Sequence, residues 1–198
     1  MRRIAWIALL SVVMLSGCGK TGFQPEQIRQ LYQENRVDAT MTVTTHNGYY
    51  CAYTLEYSEN ADGAEITVTA PESVAGISAH LREDGWEILF DEIQLDALTP
   101  NTAGMSPADA LFGILYDVRR HLPDNYSMEA VGEEPGIVAE YGETLPDGTD
   151  ILKRVVLDGE TLAIRQGELY QDGALILTVE IKDFSLRQKE PVASEGEL

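Results

Sequence analysis

The sequence predicts a mostly β chain with some α. It should form one curled antiparallel sheet of about ten strands, covered by an N-terminal helix and a second helix in mid-chain. Three observations predict this. From Thr40 onward, apolar and polar residues alternate with a period of two in segment after segment. Short turn pairs divide the segments: Asn47–Gly48, Asp62–Gly63, Asp84–Gly85, Asp147–Gly148, Asp158–Gly159 and Asp172–Gly173. Such connections make antiparallel neighbours. Two stretches, opening at Pro25 and Ser106, carry helical spacing instead.

The chain begins Met1–Arg2–Arg3, followed by an apolar run from Ile4 to Leu15 and then Leu15–Ser16–Gly17–Cys18. A basic start, a short apolar run and small residues before a cut site make a secretory signal. The run is too short to cross a bilayer as a mature helix. Leu-Ser-Gly-Cys resembles the bacterial lipobox, which implies cleavage before Cys18 and acylation of its sulfur. An ordinary secretory peptide cut near Gly17 is the competing reading. Residues 1–17 are then a signal peptide and residues 18–24 a lipidated tether. Two acyl chains suffice for stable anchoring. The expected location is the extracytoplasmic face of the cell membrane.

Pro25 opens a helix through Asn35, with Ile28, Leu31 and Tyr32 on one side. Met41, Val43 and Thr45 lead to the Asn47–Gly48 hairpin signal. Tyr49, Cys51, Tyr53, Leu55 and Tyr57 then share one face. Ala64 to Ala70 make the next strand, ending at Pro71. Ile77, Ala79 and Leu81 precede the Asp84–Gly85 turn; Trp86, Ile88 and Phe90 follow it. Ile93 and Leu95 have the opposite parity, which a bulge or tight turn near Asp91–Glu92 would accommodate.

Ser106–Pro107–Ala108–Asp109 reads as a helix start with a capping-box-like pair. Leu111, Ile114, Leu115, Val118 and Leu122 follow at helical spacing, and Pro123 stops the helix, placing it over 106–122. Arg119 and Arg120 stand in the last turn, where the helix dipole favours cations. Strands resume over 126–131, 137–141 and 151–157. In 161–170 the parity shifts at Gly167, suggesting a bulge. Leu175, Leu177, Val179 and Ile181 complete the pattern. One domain is expected over 25–186, with a flexible tail from 187 to 198.

The whole chain has 198 residues, 33 acidic side chains, 14 basic ones and a net charge of -19. Residues 1–17 hold two Arg and no acid, so their removal takes the side-chain balance to -21. With 44% hydrophobic residues the chain can still bury a core. The charge argues against nucleic-acid binding, which needs clustered Lys and Arg. Two Cys and three His make a zinc site or a disulfide scaffold implausible. Cys51 reads as a small buried hydrophobe rather than a reactive thiol.

His46 beside a hairpin turn, His80 on a strand and His121 at a helix end have structural explanations. Nucleophile-elbow, P-loop and zinc-protease motifs do not occur. The acid groups Asp91, Glu92 and Asp96, and Glu133 with Glu134, read as solvated faces. No catalysis, cofactor or metal is therefore expected. The apolar face of a curled sheet needs cover. Whatever the helices leave unfilled would be an aromatic-walled cleft. Tyr49, Tyr53, Tyr57, Trp86 and Phe90 on the sheet, with Leu111 and Leu115 on the covering helix, are its candidate lining. Plain core packing is the competing role for each.

A lipobox Cys, a short tether, an N-terminal helix, a long antiparallel meander and a mid-chain helix are together similar in plan to the LolA/LolB-type lipoprotein-carrier superfamily. The resemblance implies an incomplete barrel whose concave side is plugged by helices and can hold acyl chains. The germination lipoproteins of the GerS type are similar in plan, and their domain partners a cell-wall amidase. Two functions are thus expected. One is a membrane-anchored lipoprotein binding an acyl chain or lipidated client in a helix-covered cleft. The other is a non-catalytic adaptor holding an envelope enzyme, with the acidic surface steering a basic envelope protein. The space between helix 106–122 and the sheet discriminates them.

Overall fold

A computed structural model describes residues 24–46, 48, 50–82, 85–90, 93–97, 103–132 and 134–189. Residues 1–17, where a signal peptide is expected, Cys18 and Tyr49 lie outside the described residues, as do the side chain of Phe90 and those of Asp91, Glu92, Asp96 and Glu133.

Helix α1 spans Pro25–Glu34. Gln27 Oε1 accepts the Gln24 N–H at 2.9 Å, fixing the first turn. The helix passes straight into β1 (Asn35–Thr45), so the strand starts five residues before the alternation at Thr40 suggests. Val37, Ala39, Met41 and Val43 face inward. There follow β2 (Cys51–Glu59), β3 (Ala64–Ala70), β4 (Ser78–Arg82), β5 (Gly85–Phe90) and β6 (Ile93–Ala97). Phe90 pairs with Ile93; the bulge or tight turn expected at Asp91–Glu92 lies outside the described residues. Helix α2 is Ala110–Arg120, shorter than the 106–122 that spacing suggests. The expected Ser106–Asp109 pair does form, one turn ahead of it: Asp109 Oδ1 accepts the Ser106 N–H at 2.7 Å. The last strands are β7 (Asn125–Val131), β8 (Glu134–Thr144), β9 (Asp150–Asp158), β10 (Ile164–Gln171) and β11 (Ala174–Gln188).

The eleven strands form one sheet in the order β6-β5-β4-β3-β2-β1-β11-β10-β9-β8-β7. Neighbouring strands pair antiparallel throughout, and among the described residues β6 and β7 have one neighbour each. The sheet is therefore an open, curved half-barrel, as expected. Asp172 (φ 48) and Gly173 (φ 79) form the two-residue β10–β11 turn. Positive φ at both positions matches the twist of the flanking strands.

Strand β11 runs further than expected. Between Ile181 and Asp183 the register with β1 slips at Thr40/Met41. Inward parity consequently changes, and Phe184 and Leu186 pack on the core. The expected tail from Arg187 is also shorter: Arg187 and Gln188 are still paired with β1, and Arg187 forms an ion pair with Asp38.

Helix α1 packs on α2 and the start of β1, and α2 lies on β10 and β11. Leu111, Ile114, Leu115 and Val118 are fully buried there. Burying these four side chains gives on the order of 6–12 kcal/mol before entropy. Gly167 lets α2 sit close: a Cβ there would stand 2.4 Å from Ile114 Cδ1. Its parity signal thus reflects helix packing, while the register slips of β10 lie at Ile164/Gln166 and Leu169/Tyr170.

Candidate functional site

The concave face is the first place to look for a cleft. Its central part is filled by the protein's own side chains. Tyr57, Leu111 and Leu115 belong to one buried cluster with Met41, Leu55, Leu169 and Val179. Tyr53 and Trp86 are half-buried and pack at the margin of that cluster. Of the seven expected lining residues, the structure therefore joins three as core and two at the core's edge. Among the described residues Trp86 Nε1 is buried with no hydrogen-bond partner.

Two ion pairs tie α2 down. Arg119 donates to both carboxylate oxygens of Glu59, at 2.7 Å each. It also donates to the carbonyls of Tyr32 at 2.9 Å and Asn35 at 3.3 Å. Glu59 further accepts the Tyr57 hydroxyl at 2.6 Å and the Val37 N–H at 2.8 Å. Burial alone would raise the Glu59 carboxyl. The Arg119 hydrogen bonds and charge, with Tyr57 and Val37, outweigh it and hold the group below its ordinary value. Burial and the neighbouring Glu59 push the Tyr57 hydroxyl well up.

Lys153, 1% exposed, donates to Asp117 Oδ2 at 2.6 Å and the Gly113 carbonyl at 3.2 Å. His121 Nδ1 lies 3.0 Å from Asp117 Oδ1. The dipole account of the last turn thus holds only in part, because Arg119 points into the protein while Arg120 lies 4.8 Å above the Tyr116 ring. Reading single segments misses Glu59, Asp117, Arg119 and Lys153 as a group. Strand parity carries a signal for two of them: Glu59 continues the inward set Leu55–Tyr57, and Lys153 stands between Ile151 and Val155.

Open space lies elsewhere. A cavity of about 400 Å³ opens where the β2–β3 turn meets the end of α2. Leu81, Phe112 and Ala64 form its apolar part, and Arg36, Arg119 and Lys189 stand around it with Glu59 and Asp62. A groove of about 530 Å³ crosses the outer face of β11, β1, β2 and β3, where Asp38, Glu56, Glu65 and Asp183 line it.

Among the described residues no group of three or more His, Cys, Asp or Glu could hold a metal. His46 bonds Thr178 Oγ1 at 2.8 Å, and Cys51 is a half-buried free thiol. No described helix is long and apolar enough to cross a membrane.

These features define an open half-barrel with a plugged concave face and polar openings at its end and back. No family model matches the chain, and no curated protein matches it. Among solved structures it is similar to a putative outer membrane lipoprotein-sorting protein domain from Vibrio parahaemolyticus. That likeness has a TM-score of 0.46 and 14% identity, over 90% of this chain and 94% of that one. It is also similar to a LolA superfamily protein from Nitrosomonas europaea, with a TM-score of 0.41 and 10% identity, over 85% of this chain and 96% of that one.

Proposed function

We propose that this is a lipid-anchored envelope protein without catalytic activity, an adaptor that holds a basic envelope protein at the membrane. One observation carries the adaptor reading: the space between α2 and the sheet is filled, with Leu111, Ile114, Leu115 and Val118 each at 0% exposure. A protein so packed offers its outer surface, and that surface is strongly acidic. Opposite charge on a partner speeds and orients encounter. The Leu15–Cys18 motif supports the anchor.

The test places a photo-cross-linker at Glu65, on the outer face, or at Phe112, at the open end, in the full chain in its native membrane. The expected result is a discrete protein adduct from position 65 that fades at high salt. Adducts to lipid alone, from both positions, would overturn the adaptor.

A second reading has its own observation. The open-end cavity beside Leu81 and Phe112 gives an acyl chain or a lipidated client a place that the filled interior does not. Native mass spectrometry of membrane-extracted protein should then show co-purifying lipid. Repeated absence of lipid would remove this reading and leave the adaptor standing.

A further inference from the structure

The open-end cavity differs in charge from the rest of the molecule. In a chain of net charge -19, three cations, Arg36, Arg119 and Lys189, line one opening against two carboxylates, Glu59 and Asp62, leaving a local excess of positive charge. Glu59 does not neutralise them all, because its two oxygens are held by Arg119, Tyr57 and Val37. Among the described residues no carboxylate is in ion-pair contact with Arg36 or Lys189. Arg36 brings up to five N–H donors in a planar fork, a shape that fits carboxylate and phosphate oxygens. Lys189 Nζ gives one hydrogen to the Gln33 carbonyl at 2.6 Å and keeps two. Burial and then the charges of Arg119 and Arg36 hold its ammonium below the ordinary range, against the opposing pull of Glu59. Like charges crowded this way are relieved by an anion. Behind the cations lie Leu81, Phe112 and Ala64.

We propose that this cavity binds the anionic head of an amphiphile, a carboxylate or phosphate, with Arg36 and Lys189 on the head and Phe112 against the first part of the tail. The site deepens the second functional reading by fixing the sign of the ligand's charge. It does not depend on the protein partner.

Dodecyl phosphate, inorganic phosphate, dodecyl maltoside and dodecyltrimethylammonium are titrated calorimetrically, below their micelle concentrations, into the delipidated full chain. Arg36→Gln/Lys189→Gln and Phe112→Ala are tested alongside, with near-ultraviolet circular dichroism confirming an unchanged fold. Dodecyl phosphate should bind best and lose at least tenfold in the double variant, about 1.4 kcal/mol. Phe112→Ala should weaken dodecyl phosphate and leave the weaker inorganic phosphate unchanged. Equal binding of dodecyl phosphate to the wild type and the double variant would overturn the proposal. So would inorganic phosphate binding as tightly as dodecyl phosphate, since the apolar wall would then play no part. Dodecyl maltoside binding equally to all three proteins, with no preference for the phosphate, would keep the acyl reading and reject the anion site.

Discussion

Replacing Glu59 by Gln tests the account of how α2 is held. Glutamine keeps one acceptor oxygen and turns the other into a donor. Either way round, an Arg119 N–H that now sits 2.7 Å from an oxygen would face an amide nitrogen. The full positive charge of Arg119 would also lose its counter-ion. Breaking a buried pair from one side costs about 3–5 kcal/mol. The Arg119 side chain is 20% exposed against 9% for Glu59, so water recovers part of the loss and the low end applies, about 3 kcal/mol. For a domain of this size that is on the order of 6–12 °C in melting temperature. Urea denaturation followed by near-ultraviolet circular dichroism measures it.

The pH dependence has a definite sign. A carboxyl held below its ordinary value binds protons more readily in the unfolded chain. Its contribution is complete above the ordinary value of 4.5 and is lost as pH falls below it. The gap between wild type and Glu59→Gln should therefore hold from neutral pH down to about 4.5 and close below that. Glu59→Leu combined with Arg119→Met removes both charges but leaves the Tyr57 hydroxyl and Val37 N–H without their acceptor, so the double variant should stay destabilised yet lose less than the sum of Glu59→Leu and Arg119→Met alone. A loss under about 1 kcal/mol, or strict additivity of the two replacements, would refute the reasoning.

Lys153→Met should cost about 3 kcal/mol by leaving Asp117 buried with the half-exposed His121 as its one remaining ion-pair partner among the described residues, and adding Asp117→Leu should restore part of it; thermal unfolding of both variants decides this. Gly167→Ala should destabilise by about 1–3 kcal/mol through the contact with Ile114 Cδ1. Ile114→Val removes that methyl, so the double variant should lose less than the sum of the two singles in urea. Cys18→Ala should release the protein from the membrane fraction or leave its signal uncleaved; firm anchoring with normal cleavage would argue against lipidation.

Much of the fold was legible because it rests on local rules. Period-two alternation placed Leu55, Tyr57, Ile66 and Leu81 correctly inside, and the turn pairs marked most strand ends. Parity also explains what was missed. Glu59 and Lys153 stand at inward positions, yet their partners Arg119 and Asp117 lie 60 and 36 residues away. Only packing brings those residues together, and a helix read alone assigns Arg119 to its own dipole. The slip at Thr40/Met41 was hidden for the same reason, since a register is a property of two strands. The open-end cavity joins Arg36, Phe112 and Lys189, three residues from distant segments that no local pattern links.

The place of the first and last strands has a consequence for how the molecule is made. β1 and β11 pair along Asn35↔Gln188 to Thr45↔Leu177, in the middle of the sheet. On either side, β1–β6 and β7–β11 pair only with sequence neighbours. Each wing can assemble locally and early, whereas the seam must await the final residues of β11. Until then β1 is an uncovered edge carrying Val37, Met41 and Val43, open to pairing with another chain. A truncation inside β11 would therefore open the barrel at its centre rather than trim an end.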